Sequence, residues 1–350
     1  MFGTYKPEDV TVLLKDITGM VEPQTTEERE REIQSGRHYC EMLPIEYEPS
    51  EKYQKTYEDA LARYSHITAK AVGAISQRLW NAKGDKLVLV SLARAGTPVG
   101  ILIKRYIKEK YGCDVPHYSI SIIRGRGIDK NAIDYILERH GAEGIQFVDG
   151  WTGKGAIQRE LAKAIEDYPM IDNSLAVLSD PAYVAKYFGT HDDFLIASSC
   201  LNSTVSGLLS RTFLRDDIIG EKDFHGAVFY DNLMDRDVTY EFIDAVEAKF
   251  EFEDESDAAE DKPDESAIDE VRAIAKEFGI DDINLVKPSI GEATRVLLRR
   301  MPWKILVSSK NDEEHLGHLY QLAREKNIEV AEYPLKHYRA CGIIKSMADT

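Results

Sequence analysis

The sequence predicts an α/β protein, a doubly wound parallel-sheet domain followed by a small α-β-α sandwich domain at the C-terminus. Three observations lead there. Apolar strand-like runs alternate with helical patterns over most of the chain, the order that builds a parallel sheet with helices on both faces. A strongly acidic stretch then interrupts the alternation, and a shorter strand and helix alternation resumes beyond it. The boundaries that follow are 1–246 for the first domain with a helical N-terminal extension, 247–270 for an acidic linker, and 271–350 for the C-terminal domain.

Residues 53–80 place Tyr57, Leu61, Tyr64, Ile67, Ala71, Ile75 and Leu79 on one recurring apolar face and predict a long helix. Leu87 to Leu92 is a continuous apolar run, the pattern of a strand buried on both faces. In the helix after it, Thr97 is the expected N-cap, Pro98 the first helical residue, and Gly112 the residue past the last turn. "HYSISII" predicts a second strand, "DKNAIDYILERHG" a helix capped by Asp129, and "GIQFVD" a third strand. Ile157, Leu161 and Ile165 recur at helical spacing on the next helix, which starts near Gly153. After it come a strand in "SLAVLSD", a short helix in "AYVAKYFG" and a strand in "DFLIAS". Ligands of such sheets bind beyond the carboxyl ends of the strands. That rule brings three loops together: Ala93 to Gly96, Arg124 to Gly127 and Asp149 to Gly155.

Composition narrows the function classes. The hydrophobic fraction of 43%, with 18 Tyr and 11 Phe, fits a folded globular chain. No apolar run approaches a membrane span and the polar start does not read as a signal peptide, so a cytoplasmic location without membrane attachment is expected. The four cysteines, Cys40, Cys113, Cys200 and Cys341, are scattered and form neither a zinc motif nor a disulfide framework. A net charge of −17 argues against nucleic acid until its distribution is considered. Residues 247–270 hold twelve Asp/Glu against two Lys, whereas residues 281–350 hold eleven Lys/Arg against ten Asp/Glu, so a basic face remains open to the C-terminal domain.

The stretch "FVDGWTGKGAI" runs from a buried strand into one acid and then a bare loop. Plain turn geometry accounts for the glycines. A phosphate cradle accounts for more, because Thr152, Gly153, Lys154 and Gly155 put a hydroxyl, open backbone N–H groups and an ammonium at a helix N-terminus. This stretch resembles the 5-phosphoribosyl 1-diphosphate (PRPP) loop of type I phosphoribosyltransferases. "SLARAGTPVG" is similar to that family's pyrophosphate loop, and the two occur in the family's order. The family's second loop acid is replaced here by Gly150. The chain resembles more closely the members found in tellurite-resistance and stress operons, which carry a pelota-type RNA-binding domain and some of which are labelled cysteine proteases.

The resemblance implies a phosphoribosyltransferase-like fold and pentosyl transfer from PRPP to an unidentified acceptor, with release of pyrophosphate. Asp149 would reach the ribose and its Mg²⁺. Ala93, Arg94, Ala95 and Gly96 would hold the pyrophosphate, and Asp149, Gly150, Thr152, Gly153, Lys154 and Gly155 the ribose and its phosphate. Arg124 and Arg126 would close over the site. Asp180, Asn202, Ser203, Thr204 and Arg211 are the expected acceptor pocket, although the hydroxyl-rich "SSCLNSTVSGLLSRT" also reads as a buried loop satisfying its own backbone. Many related enzymes are dimers, which leaves a homodimer open. One alternative is a PRPP-sensing RNA-binding regulator without turnover, favoured by Gly150. The other is a cysteine protease, which would rest on Cys200 with His191 or His225.

Beyond the acidic stretch, Ser289 and Glu292 fit a capping box, "KILVSSK" a strand, "EEHLGHLYQLAREKN" a helix and "IEVAEYP" a strand. The whole resembles pelota and L7Ae-like RNA-binding domains. Gly291, Glu292 and Arg295 match the family's RNA-contacting turn, with Gly in the usual Asn position and Arg for Lys. Lys287, Arg299 and Lys310 are expected to add phosphate contacts to structured RNA.

Overall fold

The computed structural model describes residues 2–253 and 266–344, so most of the acidic stretch expected as a linker lies outside the described residues. Strands β1 (Thr11–Val12), β3 (Val88–Leu92), β4 (His117–Ile120), β7 (Ile145–Trp151), β8 (Leu175–Ser179) and β9 (Tyr187–Thr190) form a six-stranded sheet in the order β1-β4-β3-β7-β8-β9. Every neighbouring pair is parallel. Two small ladders stand outside it, β2 (Lys15–Asp16) beside β10 (Gly226–Ala227), and the hairpin β5 (Ile122–Ile123) with β6 (Gly127–Ile128).

Alternate side chains of the sheet enter two cores, as a period of two requires. Leu89, Val148, Ala176 and Leu178 pack under α2 (Glu51–Lys83), α3 (Gly96–Tyr111) and α6 (Thr239–Glu247). Val88, Val90, Phe147, Leu175 and Val177 pack under α4 (Lys130–His140) and α5 (Ala156–Ala164). Helix α2 buries Tyr57, Tyr64, Ala71, Ile75 and Leu79 along the expected face. A short helix α1 (Thr26–Gln34) follows β2 and starts with a capping box from Thr25 and Glu28. No helix among the described residues is long and apolar enough to cross a membrane.

The C-terminal domain is a separate four-stranded sheet, β11 (Val286–Pro288), β12 (Pro302–Val307), β13 (Glu329–Glu332) and β14 (Ala340–Ile344), ordered β11-β14-β12-β13. Ile305 and Val307 face α8 (Ile290–Arg299) and α9 (Glu313–Glu325), while Leu306 faces α7 (Ser266–Glu277) with Val271 and Ile274. This is the expected α-β-α sandwich.

Several local expectations give way to packing. Thr97 does not cap α3: Ala95 precedes the helix, and the Thr97 hydroxyl bonds Ser119 Oγ at 2.8 Å inside the core. "AYVAKYFG" is not helical. Its last residues form β9, where Gly189 lets the strand pass α2 so closely that a Cβ there would lie 2.5 Å from Ala71 O. "DFLIAS" is a buried connection ending in the 3-10 turn Ala197–Cys200, since a short apolar run alone does not separate strand from buried loop. Ser289 Oγ accepts from Glu292 N–H, but the Glu292 carboxylate turns to Arg295 instead of returning to the cap.

Candidate functional site

The sheet reverses its winding between β3 and β7, so the loops after these strands diverge and leave a crevice at their carboxyl ends. Gly96 brings α3 against β7 there; a Cβ on it would lie 2.3 Å from Val148 O. The C-terminal domain covers the opening, enclosing a cavity of about 580 Å³. From the α/β domain the cavity is lined by Arg29, Arg94, Arg124, Lys154 and Arg211, and from the C-terminal domain by Lys287, Arg295 and Arg300. Three carboxylates, Glu46, Asp149 and Glu292, stand against these eight cations.

Crowding and burial show in the titration of these groups. Burial, with Arg29 and Arg94 alongside, pulls Arg211 down to about 10. Burial, with Lys287 and Arg124, pulls Lys154 down to about 8. Burial pushes the Asp149 carboxyl up to about 7 against the opposing pull of the Gly150 N–H and Arg295. For Glu292 burial acts upward, but Arg295 and Lys287 outweigh it and hold the carboxylate below its ordinary value.

The bare loop has a different role from the cradle expected of it. The Thr152 hydroxyl donates to Asp180 Oδ1 at 2.5 Å. The Lys154 ammonium donates to Ile283 O at 2.6 Å and Val286 O at 3.1 Å, both in the C-terminal domain. Gly153 O accepts from the Tyr338 hydroxyl at 2.7 Å, and a Cβ on Gly153 would lie 3.7 Å from Pro288 O. Gly155 precedes α5 at φ 72°, in the left-handed region. Lys154 and the Gly153 carbonyl therefore serve as contacts to the C-terminal domain.

Of the remaining expected residues, Arg94 and Ala95 line the cavity, with Arg94 donating to Leu209 O at 3.2 Å. Ala93 leads into them, half-buried, and Gly150 donates its N–H to Asp149 Oδ1. Arg124 reaches the cavity, whereas Arg126 pairs with Glu41 at 2.7 Å. The expected acceptor pocket divides. Asn202 and Arg211 line the cavity, Ser203 donates to Glu46 Oε1, and Thr204 is buried. Asp180 is also buried, accepting from Thr152, Val184 N–H and Ala185 N–H, and holds the loop rather than a ligand. Asp149 has both Arg295 and Glu292 as charged neighbours, and no group of three or more His, Cys, Asp and Glu that could hold a metal occurs among the described residues.

The residues expected to meet RNA face inward. Lys287, Glu292 and Arg295 line the same cavity, and Arg295 lies over the Trp151 ring at 5.4 Å. Gly291 faces the α/β domain, where a Cβ would make ordinary contact with Ser199 Oγ at 3.5 Å. Asp193 completes the seat by accepting from Ile290 N–H at 2.9 Å and Arg339 N–H at 2.9 Å. Lys310 stands apart, its N–H bonded to Glu332, and the side chain of Arg299 lies outside the described ones.

A thiol and an imidazole meet at a place the sequence reading passed over. Cys40 Sγ lies 3.0 Å from His38 Nδ1 on the 3-10 turn Tyr39–Glu41. Burial raises this thiol above its ordinary value, while Arg126 and Arg211 act to lower it. Arg211 ties the turn to the cavity wall through Tyr39 O and Met42 O. The hairpin loop lies over it, with Arg124 N–H donating to the Tyr39 hydroxyl. Cys200 is buried, whereas His191 Nδ1 is engaged with Asp180 O and His225 Nδ1 with Ser121 Oγ. The signal available in the sequence was the short spacing in "HYC", which is too common to stand out.

Residues 3–247 match the family model described as tellurite-like stress resistance cysteine protease StiP. The chain belongs to the StiP family. Residues 265–346 match the PELOTA RNA-binding domain model. A relative, the cysteine protease StiP of Acinetobacter baylyi, is 38% identical over 99% of this chain and 94% of its own length. Among solved structures, a hypoxanthine-guanine phosphoribosyltransferase from Bacillus anthracis is 15% identical, covering 36% of this chain and 77% of its own, with a TM-score of 0.28. So slight a superposition carries no argument. Family membership therefore corrects the expected activity: a phosphoribosyltransferase consuming PRPP gives way to a StiP-family chain whose relatives are named for cysteine proteolysis. The loop resemblance misled because the Lys154 ammonium and the Gly153 carbonyl bond to the C-terminal domain, while the Thr152 hydroxyl bonds to Asp180.

Proposed function

We propose that the chain is a cysteine-dependent peptide-bond hydrolase in which Cys40 is the nucleophile and His38 its base. The observation that carries this reading is the 3.0 Å contact between Cys40 Sγ and His38 Nδ1, in a chain of the StiP family. The thiol proton passes to His38 Nδ1 as sulfur attacks the peptide carbonyl carbon. The C–N bond then breaks, and the imidazolium returns the proton to the departing amine. Water cleaves the thioester, releasing the acid and restoring the thiol. Cys40 is fully buried, with its thiol also within 3.6 Å of Leu214 O, so the wall around the turn must move before the sulfur can meet a substrate. Gly125 and Gly127, at φ 78° and 84°, give the hairpin loop over the turn its turning points.

The test is hydrolysis of fluorescently labelled, unfolded casein by the full chain. Cys40→Ser should abolish it, His38→Ala should slow it by at least about 100-fold, and Cys200→Ser should leave it intact. Activity that survives in Cys40→Ser and disappears in Cys200→Ser would sink the assignment.

RNA is the proposed partner of the C-terminal domain, on the strength of the PELOTA match and the lysine and arginines it presents to the cavity. This divides the chain into a hydrolase region over 1–246 and an RNA-contacting region over 271–350, either side of the acidic stretch.

A further inference from the structure

The C-terminal domain turns Lys287, Arg295 and Arg300 toward a wall that is itself cationic, where Arg94, Arg124 and Arg211 face them across the cavity. Like charges facing each other across a partly dehydrated space repel, and the bonds of Arg94 to Leu209 O and of Arg211 to Tyr39 O and Met42 O do not neutralise them. Three carboxylates do not balance it, and two of them are already engaged: Glu292 with Arg295, and Glu46 with Ser203. Arg211 Nε is buried without a hydrogen-bond partner among the described residues. A polyanion between the walls would relieve both the repulsion and the desolvation. An aromatic ring, Tyr230, borders the same space, and a ring beside a cationic track forms the usual platform for an unstacked base. A cavity of about 580 Å³ has room for a nucleotide and its phosphates but not for a duplex.

We propose that single-stranded RNA is held in the cleft between the two domains, gripped by Arg94 and Arg124 of the α/β domain as well as by Lys287 and Arg300 of the C-terminal domain. The inference rests on the RNA reading above and adds that the site is composite. The α/β domain supplies half of the phosphate contacts, and a base lies against Tyr230.

The experiment measures fluorescence anisotropy of a labelled single-stranded octaribonucleotide with the full chain over a salt series. Arg94→Gln/Arg124→Gln and Lys287→Gln/Arg300→Gln should each weaken binding at least tenfold and flatten the salt dependence by roughly one to two counterions. Arg124→Gln alone should weaken binding in the same direction, and it guards against a folding defect because the Arg124 side chain is exposed. Binding weakened only by the C-terminal pair would place RNA outside the cleft and overturn the composite site while leaving the RNA reading intact. Absence of binding by the wild type would overturn both. A free nucleoside monophosphate that binds as tightly as the octamer, or a duplex that does so, would likewise overturn the proposal, since the first needs no strand and the second cannot enter.

Discussion

Asp193→Ala tests how the two domains are joined. The Asp193 carboxyl is 4% exposed and accepts from the backbone N–H groups of Ile290 and Arg339, at the start of α8 and just before β14. Alanine leaves both donors without that acceptor. At about 1–3 kcal/mol for each orphaned donor, the loss is roughly 2–6 kcal/mol. The penalty should depend on pH. Burial pushes Asp193 up to about 7, against the pull of its N–H donors. Its folded pKa is therefore raised above the unfolded value near 4, so its contribution to stability is full below about pH 4 and declines as pH rises to about 7. The wild type should lose roughly 1 kcal/mol per pH unit from this group across that window, whereas the variant has no such group to titrate. Asp149, also pushed up to about 7, titrates in both proteins and cancels in the difference. Urea unfolding followed by tryptophan fluorescence at pH 5, 6, 7 and 8 measures the gap. A deficit largest at pH 5 and narrowing toward pH 8 is expected. A gap that is constant with pH, or smaller than about 0.5 kcal/mol at pH 5, would show that Asp193 does not join the domains in this way.

Other substitutions probe the same framework. Lys154→Ala withdraws the ammonium from Ile283 O and Val286 O and should cost about 1–3 kcal/mol in urea unfolding. Tyr338→Phe, losing a single bond to Gly153 O, should cost about 1 kcal/mol in the same assay. Gly96→Ala must displace β7 or α3, since its Cβ would fall 2.3 Å from Val148 O, and should lower stability by about 3 kcal/mol with a matching fall in melting temperature. Arg105→Ala removes the cation that grips the buried Asp9 at 3.0 and 2.8 Å, leaves the Tyr240 hydroxyl on its carboxylate, and should cost about 3 kcal/mol at neutral pH.

The fold was legible where periodicity and punctuation agree. The long apolar stripe of α2, the continuous run of β3, Asp129 capping α4 and Gly112 at φ 69° closing α3 all follow from local chemistry. Legibility failed where tertiary contact decided the outcome. Thr97 had every local qualification for a cap, yet its hydroxyl met Ser119 in the core. Residues 182–189 carry helical spacing, but pairing with β8 and the close pass of Gly189 by α2 made their end a strand. The three loops were correctly placed at one end of the sheet. What occupies them could not be read, because Lys154 and Gly153 are equally suited to a phosphate and to the carbonyls and hydroxyl of another domain. The His38 and Cys40 pair was invisible for a related reason: its meaning depends on the hairpin loop and Arg211 folding over it from distant positions.

The assignment of Cys40 is tested most directly by trapping the nucleophile. The full chain would be treated with a peptidyl vinyl sulfone, which captures an attacking thiolate, and the adduct located by peptide mass mapping. One adduct is expected, on Cys40, lost when His38 is replaced by Ala, with Cys200 unmodified. An adduct on Cys200, or labelling of Cys40 that is indifferent to His38, would contradict the assignment.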